Sequence, residues 1–152
     1  MRTVVLAVAV AIVGACLFVS WAKADVGGAT AAAGLRSVTT CEQGDCRSRD
    51  LRDVDKIDRT GEVEGALATY ALGFAALAML IAALILRGGP MITSMRAIFA
   101  LPCAAALAAT IAFASRLSHV SWMHLTWAPY AAALACAAGA IAILWRDQHR
   151  VG

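Results

Sequence analysis

The chain has 152 residues, of which 61% are hydrophobic and 15% are charged, and its formal net charge is +3. A soluble domain is nearer half apolar and a quarter charged, so this composition favours an integral membrane protein. Sixteen of the charged residues lie between Lys23 and Glu64, and long tracts elsewhere carry none. The small basic excess lies at the ends of these tracts, so no nucleic-acid partner is predicted.

Four apolar tracts are long enough to cross about 30 Å of hydrocarbon as helices. They cover residues 4–22, 66–86, 97–114 and 128–145, and none contains Asp, Glu, Lys, Arg or His. Charged residues inside the membrane would point to an ion pathway, so their absence argues against a pump. The sequence predicts an all-α membrane protein, a bundle of four transmembrane helices that forms one domain over residues 1–152.

The first tract also resembles a secretory signal sequence, because Ala22 and Ala24 form an A-x-A cleavage site. Its apolar run is longer than the roughly 7–15 residues of a signal sequence, so we expect a retained span. Cleavage of residues 1–24 would leave three spans with an unchanged orientation.

Basic residues and aromatic residues set the expected orientation. Arginines flank the ends that would share one side of the membrane, namely Arg2, Arg87, Arg96, Arg146 and Arg150. The positive-inside rule then predicts a multi-pass protein of the plasma (inner) membrane with both termini in the cytoplasm. Residues 23–65 form a large outer loop, Trp21, Trp122 and Trp127 anchor the outer interface, and Trp145 anchors the inner one.

The outer loop is expected to form a small extracytoplasmic cap. "LRSVTTC" suits a short strand and "EQGD" a turn, which together allow a short β-hairpin between the first two helices. Asp53, Asp55 and Asp58 lack the glycine and glutamate offsets of a calcium loop. His119 and His124 are too few for zinc, so no metal and no cofactor is predicted.

Two features of the sequence concern contacts between elements. Alanines at four-residue intervals in the third tract (100, 104, 108 and 112) and Ala131, Ala135 and Gly139 in the fourth are expected to let helices approach closely. Arg116 either pairs with an acidic residue of the first outer loop or simply anchors the interface.

Cys41 and Cys46 lie in the outer loop, where an oxidising compartment favours a bridge between them. Gly44 lies between them and allows the chain to turn back, so we predict a structural disulfide. A metal site would need two more soft ligands, and haem attachment would need C-x-x-C-H. A catalytic thiol pair and free or intermolecular thiols are the remaining alternatives.

The layout resembles the claudin and peripheral-myelin-protein superfamily. The matching residues are Trp21, the loop motif Gly34 and Leu35, and the pair Cys41 and Cys46, whereas Arg36 stands where that family has a second tryptophan. The resemblance implies four spans, internal termini, a bridged cysteine pair on a small sheet, and a structural, adhesive or accessory role.

The predicted function is that of a non-enzymatic membrane scaffold or interaction subunit. Its partners would be the lipid bilayer and either a membrane or extracytoplasmic protein or a second copy of the chain. The alternative is a DsbB-like or quinone-linked thiol oxidoreductase that uses Cys41 and Cys46. Such enzymes relay electrons through C-x-x-C pairs, whereas this chain has C-x4-C and no cysteine in its second outer connection.

Overall fold

The computed structural model describes residues 1–26, 28–51, 59–120 and 123–145. In this part of the chain the helices are α1 (Arg2–Cys16), α2 (Arg59–Gly88), α3 (Thr93–Ser118) and α4 (Ala128–Leu144). The strands are β1 (Ala22–Val26), β2 (Ala29–Ala33), β3 (Ser37–Glu42), β4 (Asp45–Asp50) and β5 (His124–Leu125). Strands β1 to β4 lie between α1 and α2, and β5 lies between α3 and α4.

The prediction of an all-α fold is wrong. The five strands form one antiparallel sheet in the order β4-β3-β2-β1-β5, so the fold is mixed α/β. Only β3 and β4 coincide with the expected hairpin. The alanines of β1 and β2 have low strand propensity, and these strands form because each pairs with neighbours on both sides.

The prediction of four full-length spans is wrong as well. With 15 and 17 residues, α1 and α4 are about 22 and 26 Å long, which is less than the ~30 Å hydrocarbon thickness. The helix of the first tract ends at Cys16 because the chain then bends into the sheet, where the Trp21 N–H donates to the Ala33 carbonyl (2.6 Å). By contrast, α2 and α3 are long and apolar enough to cross a membrane over Glu62–Gly88 and Thr93–Ser118.

The four helices pack in a ring in which α1 and α3 each lie between α2 and α4. For α4 the small-residue prediction is confirmed at Ala135 and Gly139, which are buried, whereas Ala131 is only partly buried. At Gly139 the backbone lies so close to Met79 of α2 that a Cβ atom would clash with its sulfur. In α3 the prediction is wrong, because Ala104 and Ala108 are exposed. The buried face of α3 is instead formed by Ala100, Cys103, Ala106, Ala109, Thr110, Phe113 and Leu117.

The sheet packs on one end of the helices. The alternate residues Ala22, Ala24, Ala33 and Val38 are buried and belong to the same apolar core as the helix interiors. The start of α1, the α2–α3 turn and the end of α4 lie together around a groove at the opposite end. We name the end that carries the sheet the sheet end, and the opposite end, with the α2–α3 turn, the turn end.

From the sequence, Arg116 could either pair with an acidic residue of the outer loop or anchor the interface. In the structure it pairs with Glu64. Its Nε and Nη2 atoms donate to the two carboxylate oxygens of Glu64, each at 3.2 Å. The pair joins the start of α2 to the end of α3 beside the sheet. Both side chains retain solvent contact, at 45% and 24% exposure, which weakens the interaction by screening.

Replacing Arg116 with lysine should lower the free energy of unfolding by about 0.5 kcal/mol, because lysine keeps the charge but cannot make the two-pronged contact. Chemical unfolding in detergent would measure the change. In a double-mutant cycle with Glu64→Gln, we expect a coupling of about 1 kcal/mol or less. A coupling several times larger would contradict the view of a screened surface pair.

Candidate interaction surface

Pleating gives the sheet an inner face on the helices and an outer face that carries polar side chains. One row of paired outer positions runs across all five strands, from Ser48 through Thr39, Ala32 and Lys23 to His124. The next row contains Asp25, Thr30, Cys41 and Cys46. We name these two rows the outer sheet face. Most of its side chains are exposed, so it is available for contact with another molecule.

The predicted disulfide is confirmed, since Cys41 and Cys46 are bridged across the β3–β4 hairpin. The two turn residues, Gln43 and Gly44, both have positive φ angles of 49° and 94°, as a type I′ turn requires. Glu42 and Asp45 are the facing pair that closes the turn, and Cys41 and Cys46 are the next facing pair along the two strands. At this position the strands come close together. Their Cα atoms are 4.0 Å apart. The hairpin itself therefore brings the thiols together.

Replacing both cysteines with serine should lower the free energy of unfolding by about 2 kcal/mol, because the bridge restricts the unfolded chain. At the turn, Glu42 faces Asp45, and like charges in facing positions destabilise a hairpin. We therefore expect the tip of the hairpin to open locally, which hydrogen exchange would detect.

Reductant provides the control for this double variant. It should destabilise the natural chain by the same amount and leave the Cys41→Ser/Cys46→Ser chain unchanged. An equal effect of reductant on both proteins would contradict a stabilising role of the bridge.

Strand β4 forms one edge of the sheet, and all six of its residues are exposed. Within the described residues it pairs with β3 alone. An open edge can accept a further strand from another chain through backbone hydrogen bonds. Its alternating charges, including Asp45, Arg47 and Arg49, restrict such pairing to segments of matching charge.

A small hollow of about 310 Å³ adjoins the outer sheet face. It lies between the end of α1 and the β2–β3 turn, and its polar lining includes Ser20, Arg36, Ser37, Thr39 and Thr69. Because Thr39 belongs to both the hollow and the outer sheet face, the two form a continuous polar surface. This surface offers hydrogen-bonding groups for recognition.

The loop motif and Trp21 attach this surface to the helices. The Gly34 N–H donates to the Ser37 carbonyl at 2.8 Å and forms the β2–β3 turn, and the adjacent Leu35 is buried. The Leu35 carbonyl lies so close to Gly65 of α2 that a Cβ atom there would overlap it. These residues position the sheet and do not themselves face outward.

The predicted interface anchors have different surroundings. Trp21 is fully buried, so its indole does not face lipid. Its Nε1–H donates to the Cys16 carbonyl at 2.8 Å, and its ring lies 5.7 Å from that of Phe113. Trp127 and Trp145 are 61% and 63% exposed, at the sheet end and the turn end respectively. Trp122 lies outside the described residues.

Potential metal ligands do not cluster in the described part of the chain, which contains no group of three His, Cys, Asp or Glu side chains suited to a metal ion. The His119 ring hydrogen-bonds the Ser115 carbonyl at 2.7 Å, and His124 is exposed on β5. Asp53, Asp55 and Asp58 lie outside the described residues. All five cysteines are described, and those outside the disulfide (Cys16, Cys103 and Cys136) are free and buried. No second exposed thiol pair therefore accompanies the disulfide.

Two residues that position the surface were not singled out from the sequence. Phe113 packs on Trp21, and Gly65 allows the close approach of the β2–β3 turn. Gly65 lies next to the predicted start of the second span, where a glycine is about 1 kcal/mol less favourable than alanine in a helix, and this cost was the available signal. For Phe113 the sequence contained no comparable signal.

No protein-family model matches the chain, and no curated protein matches it. The resemblance to claudins therefore remains a prediction. It rests on Trp21, Gly34, Leu35, Cys41 and Cys46 alone.

Proposed function

We propose that the chain is a non-enzymatic membrane protein that presents its sheet to a partner protein outside the membrane. The observation that carries this proposal is the exposed, disulfide-bridged β3–β4 hairpin, whose strand β4 is an edge of the sheet within the described residues. The bridge orders the edge before binding, which lowers the entropic cost of forming a complex. A claudin-like adhesive or accessory role is one form of this function.

The membrane location is supported by the surfaces of α2 and α3. Large apolar side chains on these helices are exposed, including Phe74, Leu77 and Leu84 on α2 and Ile98 and Leu101 on α3. Exposed apolar patches of this extent are unfavourable in water and favourable in lipid. We therefore propose that α2 and α3 cross the plasma (inner) membrane as a hairpin.

The orientation follows from charge and redox chemistry. Arg87 and Arg96 flank the α2–α3 turn, which favours the cytoplasmic side for the turn end. The sheet end would then lie outside, where a disulfide is stable.

Labelling of single introduced cysteines tests this orientation. Ser48 on β4 and Ser94 on α3 are both exposed, and they lie at opposite ends of the molecule. In intact cells, a membrane-impermeant maleimide should label Ser48→Cys, whereas Ser94→Cys should react only after permeabilisation. The reverse pattern would show that the orientation is wrong.

The proposed contact is the addition of an extended partner segment to β4, with its side chains against Arg47 and Arg49. Backbone hydrogen bonds would supply affinity, and the charge sequence would supply specificity. If the partner segment belongs to a second copy of the chain, the same contact produces a homo-oligomer.

Photo-crosslinking in native membranes tests the contact. A photoreactive amino acid at Ser48 should yield one defined adduct, with a partner protein or with a second copy, and the same group at Ser94 should not. Charge reversal at Arg47 and Arg49 should abolish that adduct without altering the amount of protein. The absence of a specific adduct from Ser48, or quinone reduction that depends on Cys41 or Cys46, would contradict the proposal.

A further inference from the structure

The turn end of the molecule contains a groove of about 1600 Å³. It is lined by the start of α1, the α2–α3 turn with both adjoining helix ends, and the end of α4. Drug-sized ligands occupy pockets of roughly 300–1,000 Å³. This groove is therefore large enough for a bulky amphiphilic molecule.

The groove is apolar along its walls and basic in its charged groups. Val5, Leu86, Met91 and Ile141 contribute aliphatic surface, whereas Arg87 and Arg96 contribute two positive charges. Among the described residues that line it, no side chain is acidic. The combination matches a molecule with an anionic head and an aliphatic tail.

Arg96 holds the walls of the groove in place. Its Nε donates to the Met91 carbonyl and its Nη1 to the Trp145 carbonyl, both at 3.0 Å. This arginine thus joins the α2–α3 turn to the end of α4. A guanidinium has five N–H donors, so it can make these two bonds and still donate to an anion.

We propose that this groove binds an anionic phospholipid, with the phosphate among the arginines and an acyl chain along the aliphatic walls. Basic pockets between membrane helices on the cytoplasmic side suit such head groups, because that leaflet is anionic. The groove opens at the end that we assign to the cytoplasm, whereas the candidate interaction surface lies at the sheet end. Lipid binding is thus a separate activity of the opposite end of the protein.

Native mass spectrometry of the full chain in detergent tests this site with phosphatidylglycerol and phosphatidylcholine. Phosphatidylglycerol should bind at least tenfold more tightly. The Arg87→Gln variant should bind phosphatidylglycerol about fivefold more weakly than the natural chain, because it removes one arginine. The matched control is Arg49→Gln, which removes one positive charge at the sheet end and should bind phosphatidylglycerol normally.

A second variant tests the aliphatic part without changing charge. Ala138 lines the groove from α4 and is only partly buried, so Ala138→Phe should narrow the groove and weaken phosphatidylglycerol binding. Unchanged thermal unfolding would show that this variant is folded.

Three results would overturn the assignment. The first is equal affinity for the two lipids, and the second is an equal loss in the control variant. The third is phosphatidylglycerol binding that appears only after deletion of residues 146–152, which would assign the groove to the chain's own last residues. The crosslink from Ser48 tests the partner contact at the sheet end, and the lipid measurement tests the groove at the turn end. A negative result in one experiment therefore does not affect the interpretation of the other.

Discussion

Replacing Trp21 with alanine should lower the free energy of unfolding by about 3–5 kcal/mol, the range for removal of a large buried aromatic side chain. Trp21 is fully buried between the sheet and the helices, where it packs on Phe113. The substitution also leaves the Cys16 carbonyl at the end of α1 without its indole donor. The free-energy cost of the cavity and that of the unpaired buried carbonyl therefore add together.

The exposed Trp127 provides a matched control, because Trp127→Ala removes the same side chain without opening a cavity. That variant should change the free energy of unfolding by less than about 1 kcal/mol. Trp21→Phe keeps an aromatic ring and loses the hydrogen bond, so its loss of unfolding free energy should lie between those of Trp21→Ala and Trp127→Ala. Denaturant unfolding in one detergent would compare all three. Equal losses for Trp21→Ala and Trp127→Ala would refute the central role of Trp21.

Replacing Gly65 with alanine should lower the free energy of unfolding by about 1–3 kcal/mol, the cost of overpacking a filled interior. The added Cβ would overlap the Leu35 carbonyl and would lie 3.1 Å from Phe113 and 3.2 Å from Leu51. The Leu35 carbonyl belongs to the backbone, so it cannot rotate away as a side chain could. We expect the β2–β3 turn to be displaced from α2.

Gly73 is the control for this substitution, because it lies in the same helix and a Cβ there meets nothing within 4 Å. Gly73→Ala should be neutral or stabilising by up to about 1 kcal/mol, since alanine is the better helix former. Thermal unfolding would rank both variants against the natural chain. Destabilisation by Gly73→Ala alone would contradict the close contact at Gly65.

The long helices were predictable because hydrophobicity is a strong local signal. The tracts 66–86 and 97–114 lie within α2 (Arg59–Gly88) and α3 (Thr93–Ser118). Both helices extend beyond the apolar tracts because backbone hydrogen bonding continues through polar residues such as Glu62. An apolar tract therefore marks the centre of such a helix and not its ends.

The sheet was mostly hidden because it depends on pairing between distant segments. The alanines of β1 and β2 fit a helix or a loop equally well when read locally. The sequence predicts Trp21 at a membrane interface because tryptophan is common there, whereas its burial depends on Phe113, some 90 residues later in the chain. Such a contact leaves no periodic pattern.

The part of the candidate surface that depends on residues close together in the sequence was predictable. Cys41, Gly44 and Cys46 are close in sequence, so their hairpin and bridge could be expected from residue types alone. The exposure of β4 and the groove at the turn end could not be expected, because both depend on how whole elements are arranged.

The position of β5 in the sheet has a consequence for biogenesis. β5 pairs with β1, and the Thr126 N–H donates to the Trp21 carbonyl at 2.9 Å, so two segments about 100 residues apart must meet. During synthesis, β1 to β4 and both long helices leave the ribosome before β5 does. The four-stranded sheet can therefore form early, whereas the edge of β1 stays uncovered until the last quarter of the chain arrives. Completion of the sheet is thus a late event, because it waits for the connection between α3 and α4.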